Sequence, residues 1–292
     1  TMILFSSIIV WSIKNVSVKQ INDINLTMLT QASNTGTFVF RDINNKFLKE
    51  FSNNSLIISA MCGSGLTLEQ RSSLYTLFQN YLSENSVLGS VSVFNLKAGL
   101  EYTVYSDRYT TEQKIRDTDM AESLRNLKFN DEMIFARQIS IDSKQKDDTN
   151  DLKYITIVFR IDNNSALVVN IDQQSFDRLI NVPSRADVQQ TVVFNNRKNI
   201  ISGSANELSE EQKEQISRLA SNSKQSTGSI SFNNKLVCYV KSDYLDYTYV
   251  TIYDTRQLPG SGNYLILFTV CSAVILTLLN LLFGVFYSQK LY

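Results

Sequence analysis

Hydrophobic positions along the chain change period as it proceeds, and each change marks a new kind of element. From Val16 to Leu29 the apolar residues fall at Val18, Ile21, Ile24 (or Leu26), Met28 and Leu29, close to helical spacing. A long helix is expected there, and a second helical stretch over Ile43–Phe51. A third covers Leu68–Glu84, with Leu74, Leu77, Phe78 and Tyr81 on its buried face. Thr67 with Gln70 behind it reads as a capping box at its start. From Val87 the period falls to two. VLGSVSVFNLKAG alternates Val91 and Val93 with small polar residues, turns at Lys97-Ala98-Gly99, and gives way to a second strand, EYTVYSD. A charged, helix-compatible segment spans Thr111–Asn126, followed by strands over Met133–Ile141, Tyr154–Ile161 and Ala166–Ile171. The polar turns between them, SKQKDDTND and DNNS, suit hairpin connections in an antiparallel meander.

A short helix, QQSFDRLI, follows Asp172, and the same order then recurs at reduced size. Strands are expected at Gln190–Phe194 and Ile200-Ile201, a helix over Ser209–Asn222, and strands at Gly228–Phe232, Lys235–Ser242 and Tyr247–Tyr253. Glu210, Glu211 and Glu214 sit in the first turns of that helix, where its dipole favours anions. Strand pair, helix and three strands therefore appear twice, behind a helix-rich entry. The fold class is α+β with two antiparallel sheets.

The last hydrophobic stretch obeys neither period. Tyr264–Tyr287 runs for 24 residues without Asp, Glu, Lys or Arg, and a bilayer core needs roughly 20 apolar residues of helix. Pro259, Gly260 and Gly262 precede it, Lys290 follows, and tyrosines stand at both ends, where amphipathic rings are favoured. Asn280 within it can bond across helices or face lipid. At the other end Met2–Ile13 is apolar but only 12 residues long. It reads as part of an earlier membrane helix, since neither a basic start nor a small-residue cleavage site marks it as a signal peptide.

Composition narrows the chemistry. Charge is balanced, 28 basic against 28 acidic side chains, so no nucleic-acid contact is expected. Histidine is absent, which removes Ser/His/Asp and Cys/His catalysis and every zinc site that needs imidazole. Cys62, Cys238 and Cys271 form no CxxC; a bridge between the first two stays open. The acid pairs Asp147-Asp148 and Glu210-Glu211 lie in polar surroundings that suit solvated turns. Gly63-Ser64-Gly65 and Gly260-Ser261-Gly262 lack the lysine and length of a phosphate loop. No enzyme signature emerges, and no cofactor or metal is expected.

With the layout in place, the chain resembles the extracytoplasmic double Cache sensor regions of bacterial transmembrane receptors. The likeness rests on VLGSVSVFNLKAGLEYTVYSD for the opening hairpin of the first sheet and ALVVNIDQQSFDRLI for the exit from it. TVVFNNRKNIISGS and GSISFNNKLVCYVKSDYLDYTYVTIYDT carry it into the second sheet. The resemblance implies two PAS-like antiparallel sheet domains behind a long membrane-to-tip helix, flanked by transmembrane helices. In this numbering residues 1–13 become a partial first membrane helix, 14–86 the helical region, 87–181 the membrane-distal domain, 182–258 the membrane-proximal domain and 264–287 the second membrane helix. It further implies a cell-membrane receptor with residues 14–263 extracytoplasmic, a homodimer, and a small-molecule or protein signal. The family's usual pocket maps onto Tyr102–Arg116, which offers Tyr105, Asp107, Arg108 and Tyr109; Arg137 and Arg160 on later strands can face it. An arginine there suits a carboxylate, and aromatic rings suit a sugar or an aliphatic body. The family's amino-acid-binding series is not matched, because the single tryptophan, Trp11, lies at the membrane end. The closing YSQKLY is similar to the start of the cytoplasmic segment in AraC-type membrane-bound regulators and in sensor histidine kinases. A membrane-tethered binding or adhesion module without output is the alternative.

Overall fold

The computed structural model describes residues 2–106, 118–127, 134–139, 152–160, 162–181, 190–197, 199–203, 211, 214–218, 225–232, 235–254 and 263–291. Its opening helix, α1 (Met2–Asn53), is 52 residues long. Two separate helices were the expectation, because the intervening TQASNTGTFVFR is poor in helix formers. It contains no proline, however, and packing outweighs propensity over such a stretch. Leu29, Ala32, Val39, Phe40, Ile43 and Phe47 form one buried stripe through it. Within the helix Thr27 and Thr30 donate their hydroxyls to the carbonyls of Asp23 (2.8 Å) and Leu26 (2.7 Å), one turn back.

A helix that hydrophobic spacing alone did not suggest follows at once, α2 (Ser55–Cys62). Asn54 starts it by accepting the backbone N–H of Leu56 at 3.1 Å and of Ile57 at 3.4 Å. Next, α3 (Leu68–Glu84) carries the expected capping box: Gln70 N donates to Thr67 Oγ1 (3.2 Å), and Thr67 N donates to Gln70 Oε1 (2.9 Å).

The first sheet comprises β1 (Leu88–Asn95), β2 (Leu100–Tyr105), β3 (Ile134–Ile139), β4 (Leu152–Arg160) and β5 (Ser165–Asp172), in the antiparallel order β2-β1-β5-β4-β3. It is a meander only through β3, β4 and β5; β5 then returns beside β1, so the first and last strands lie at the centre. Helix α4 (Thr118–Asn126) lies between β2 and β3 in sequence, and α5 (Gln173–Ile180), capped by Asp172, leaves the sheet. The second sheet repeats the plan with β6 (Gln190–Phe194), β7 (Ile200–Ser202), β8 (Thr227–Phe232), β9 (Lys235–Lys241) and β10 (Thr248–Asp254), in the order β7-β6-β10-β9-β8. Residues 214–218 of the expected 209–222 helix are helical.

The first sheet turns one face toward α2, α3 and α5, with Phe51 of α1 against Phe159, the second turns one face toward α1, and both faces join a single core. Val91, Val93, Ile155, Ile157, Leu167 and Val169 line it from the first sheet, and Val193, Leu236, Val240 and Tyr249 from the second. Phe40 of α1 ties the two together, with its ring centroid 5.1 Å from Phe176 of α5 and 5.6 Å from Tyr247 just before β10. At Gly36 the helix comes so close to the second sheet that a Cβ would collide with the Tyr249 phenol. The chain closes with α6 (Asn263–Leu291), which lies beside α1. Within α6, Val270–Tyr287 is long and apolar enough to cross a membrane by length and composition. Cys62, Cys238 and Cys271 are free thiols.

Candidate ligand-binding face of the first sheet

The second face of each sheet, turned away from α1, is where the two halves differ. On the first sheet, the antiparallel register aligns Tyr105, Ser90, Asn170, Thr156 and Phe135 in one row across β2, β1, β5, β4 and β3. Directly opposed residues share a face, so these side chains project from the same side. Two residues further along β3, Arg137 lies on that side opposite Tyr154.

Four of these residues form a connected polar network. Arg137 donates through Nε to Thr156 Oγ1 at 2.8 Å and through Nη2 to Asn170 Oδ1 at 3.2 Å. Thr156 Oγ1 donates to Asn170 Oδ1 at 2.8 Å, and Asn170 Nδ2 donates to Ser90 Oγ at 2.8 Å. A guanidinium can only donate. Its presence therefore fixes the Asn170 amide with oxygen toward β4 and nitrogen toward β1. Ser90, Thr156 and Asn170 are at most 1% exposed, and three such polar side chains on central strands are costly unless paired. The network pairs them and leaves Arg137, half-buried on the edge strand β3, as its charged end. In the next row Ser92 Oγ lies 2.9 Å from Thr103 Oγ1.

The other end of this face is apolar. Met120 and Leu124 of α4 pack over Phe94, Val158, Ala166 and Val168. The sheet thus presents a dry, helix-covered end beside a hydrogen-bonding end. Gly89 belongs to the polar end, because the Tyr154 ring occupies the space a Cβ would need, with Cε1 only 2.5 Å away.

Of the sequence-based candidates, Tyr105 and Arg137 lie on this face at opposite edges, separated by β1, β5 and β4. Asp107, Arg108 and Tyr109 lie outside the described residues, as does the acid pair Asp147-Asp148. Arg160 has a different role from the one expected. It donates to three backbone carbonyls, Leu127 (2.6 Å), Asn163 (2.7 Å) and Asp162 (3.2 Å), and so ties the β4–β5 turn to the end of α4. Its fork is spent on the protein itself. Ser90, Thr156 and Asn170 were missed by sequence reasoning; the available signal was a small polar residue inside an otherwise Val/Ile/Leu strand, as in LVVNID. Among the described residues no group of three Cys, Asp or Glu side chains is placed to hold a metal.

No protein-family model matches the chain, and no curated protein matches it in sequence. Solved structures do match it in fold. The periplasmic sensory domain of the Campylobacter jejuni chemoreceptor Tlp1 covers 83% of this chain and 98% of its own, with a TM-score of 0.55 at 11% identity. The extracellular domain of soHK1S-Z6, described as a histidine kinase, covers 83% and 97%, with a TM-score of 0.54 at 12% identity. A domain from Vibrio parahaemolyticus, described as part of a sensory box/GGDEF family protein, covers 83% and 99%, with a TM-score of 0.52 at 11% identity. At such identities the likeness is one of fold, and the fold, a long opening helix with two antiparallel five-stranded sheets, is the one that the sequence resemblance implied.

Proposed function

Starting from the fold shared with extracytoplasmic sensory domains, we propose that this chain is the signal-sensing region of a bacterial membrane receptor. In this reading residues 87–181 form the membrane-distal domain and 182–258 the proximal one. Residues 14–263 lie outside the cytoplasm, and α6 holds them at the cell membrane through residues 264–287. Binding at the distal domain shifts the balance between two arrangements of the sheets and α1, and β10 passes the change to α6 and a cytoplasmic output, AraC-type or kinase. The working unit is a homodimer.

One observation carries the reading: the second face of the distal sheet joins a buried, oriented hydrogen-bonding network to an apolar end under α4. That combination suits a small molecule with an apolar body and a polar group, the body beside the end that Met120 and Leu124 cover and the polar group toward Arg137, with Tyr105 at the far edge of the same face. Asp107, Arg108 and Tyr109 complete the proposed site from the segment after β2. A thermal-shift screen of the purified chain against sugars, organic acids and cell-wall fragments tests it. A hit that raises Tm in the parent and not in Arg137→Gln supports the site. A hit that stabilises both equally places the ligand elsewhere, and no hit in any class favours a protein signal.

A further inference from the structure

Backbone geometry singles out the turn between β9 and β10. Among the described residues only two non-glycines have a positive φ, Leu245 (φ 70°) and Asp246 (φ 53°), and they are consecutive at the tip of this turn. Positive φ at both central positions is the pattern of a type I′ turn, which favours Asn-Gly or Asp-Gly. Leucine is a poor choice there, because in the left-handed region its Cβ crowds the following carbonyl. The sequence of the turn therefore opposes its shape, and the shape has to be held from outside.

The holding contacts come from one stripe of α1. Thr37 Oγ1 lies 2.7 Å from Ser242 Oγ. Ser242 Oγ donates to the Tyr244 carbonyl at 2.9 Å and accepts the Tyr244 N–H at 3.2 Å, so its one proton is used within the turn and Thr37 is the donor. Further along the helix the Arg41 guanidinium lies 5.2 Å from the centre of the Tyr244 ring, and Asn44 Nδ2 donates to Tyr244 Oη at 3.1 Å. Tyr244 and Leu245, both half-buried, pack against the core that α1 shares with the sheets. At the base of the turn Ser242 N donates to the Tyr247 carbonyl at 2.7 Å, and Lys241 pairs with Thr248.

We propose that residues 242–247 are a strained latch between α1 and β10. Docked on α1, the turn keeps its left-handed shape and fixes the start of β10. When α1 moves away the turn relaxes, and the Lys241–Thr248 end of the hairpin loosens with it. β10 is the strand that precedes α6, so the latch ties the helix that opens the chain to the one that closes it. The inference concerns this joint alone and stands whether or not the first sheet binds a ligand.

Hydrogen–deuterium exchange of the amides of residues 242–248, measured on the full chain in detergent, tests it through a cycle of variants. Thr37→Val with Asn44→Ala removes the hydrogen bonds from α1 and is expected to speed exchange about 3–10-fold, the loss of an ordinary hydrogen bond. Leu245→Asn with Asp246→Gly gives the turn the residues its backbone prefers and is expected to slow exchange. With all four changes combined, little of the acceleration is expected to remain, because a relaxed turn no longer depends on α1. Equal acceleration in both backgrounds overturns the latch, since α1 then holds the turn by contacts with no strain behind them. Faster exchange in the Leu245→Asn, Asp246→Gly chain overturns it too. If the combined variant does not fold, Asp246→Gly alone, at an exposed position, decides: slower exchange supports the latch and faster exchange removes it.

Discussion

Two sheets of the same order and strand number differ in what they place on the face turned away from α1. On the second sheet that face is filled: Val192, Val237, Tyr239, Val250 and Ile252 pack with Ile216 from the helical residues 214–218. The Tyr239 ring even lies over Gly228, with its Oη 2.5 Å from where a Cβ would stand. On the first sheet the central strand carries Asn170 where β10 carries Val250. Ser90 and Thr156 flank Asn170, whereas Val192 and Tyr239 flank Val250. One face is a core throughout, and the other joins a core under α4 to a polar network with a charge at its rim. Topology alone does not make a site; the side chains on one face decide which sheet is a candidate for one.

Phe40 of α1 joins the two halves, packing on Phe176 of α5 and on Tyr247 before β10. Phe40→Ala removes the ring shared by Phe176 and Tyr247 and is expected to cost about 3–5 kcal/mol, with both sheets unfolding in one transition in urea. Two separate transitions would show that the halves are independent. Exchanging the character of the two faces comes next. Val250→Asn puts an unpaired amide into the core of the second sheet and is expected to cost roughly 2–4 kcal/mol. Asn170→Val strips partners from Ser90, Thr156 and Arg137 and is expected to cost about 1–3 kcal/mol and to abolish ligand-induced stabilisation. Equal tolerance of Asn at both positions would erase the distinction drawn between the faces. Arg137→Gln is milder, leaving Tm nearly unchanged while removing the response to ligand.

The smallest effect concerns the joint between the sheets. Asp177 of α5 accepts a short hydrogen bond from Ser202 of β7. Burial raises its carboxyl above the ordinary aspartate value, against hydrogen bonds from Ser202, Gln173 and the Gly203 backbone that lower it. The folded chain therefore holds this proton more tightly than the unfolded chain. The stabilisation is full below the unfolded value of about 3.9 and is lost as pH rises through the raised folded value. Asp177→Asn keeps an oxygen for Ser202 and is expected to flatten this part of the Tm–pH curve; an unchanged curve would remove Asp177 from the account.

Much of the fold was legible because period and punctuation are local signals. The shift from 3.6 to 2 at Val87, the Thr67 capping box and the apolar run of α6 all stand in the sequence itself. Continuity of α1 was not, because its TQASNTGTFVFR segment is held helical by the residues it packs on rather than by its own propensity. For α2 the signal lay in Asn54, whose cap carries no hydrophobic period. The candidate face was half legible. Tyr105 and Arg137 stand out by residue type and lie on it, but Ser90, Thr156 and Asn170 converge only through strand register, which no single strand reveals. Arg160 misled because an arginine on a strand looks the same whether its fork faces a ligand or three carbonyls.

Hydrogen–deuterium exchange on the chain, with and without a ligand found by thermal shift, tests the central claim most directly. Binding is predicted to slow exchange in β1, β4 and β5 around Ser90, Thr156 and Asn170, with a weaker effect reaching β10. Protection centred on β6, β9 and β10, with the strands of the first sheet unchanged, would contradict it.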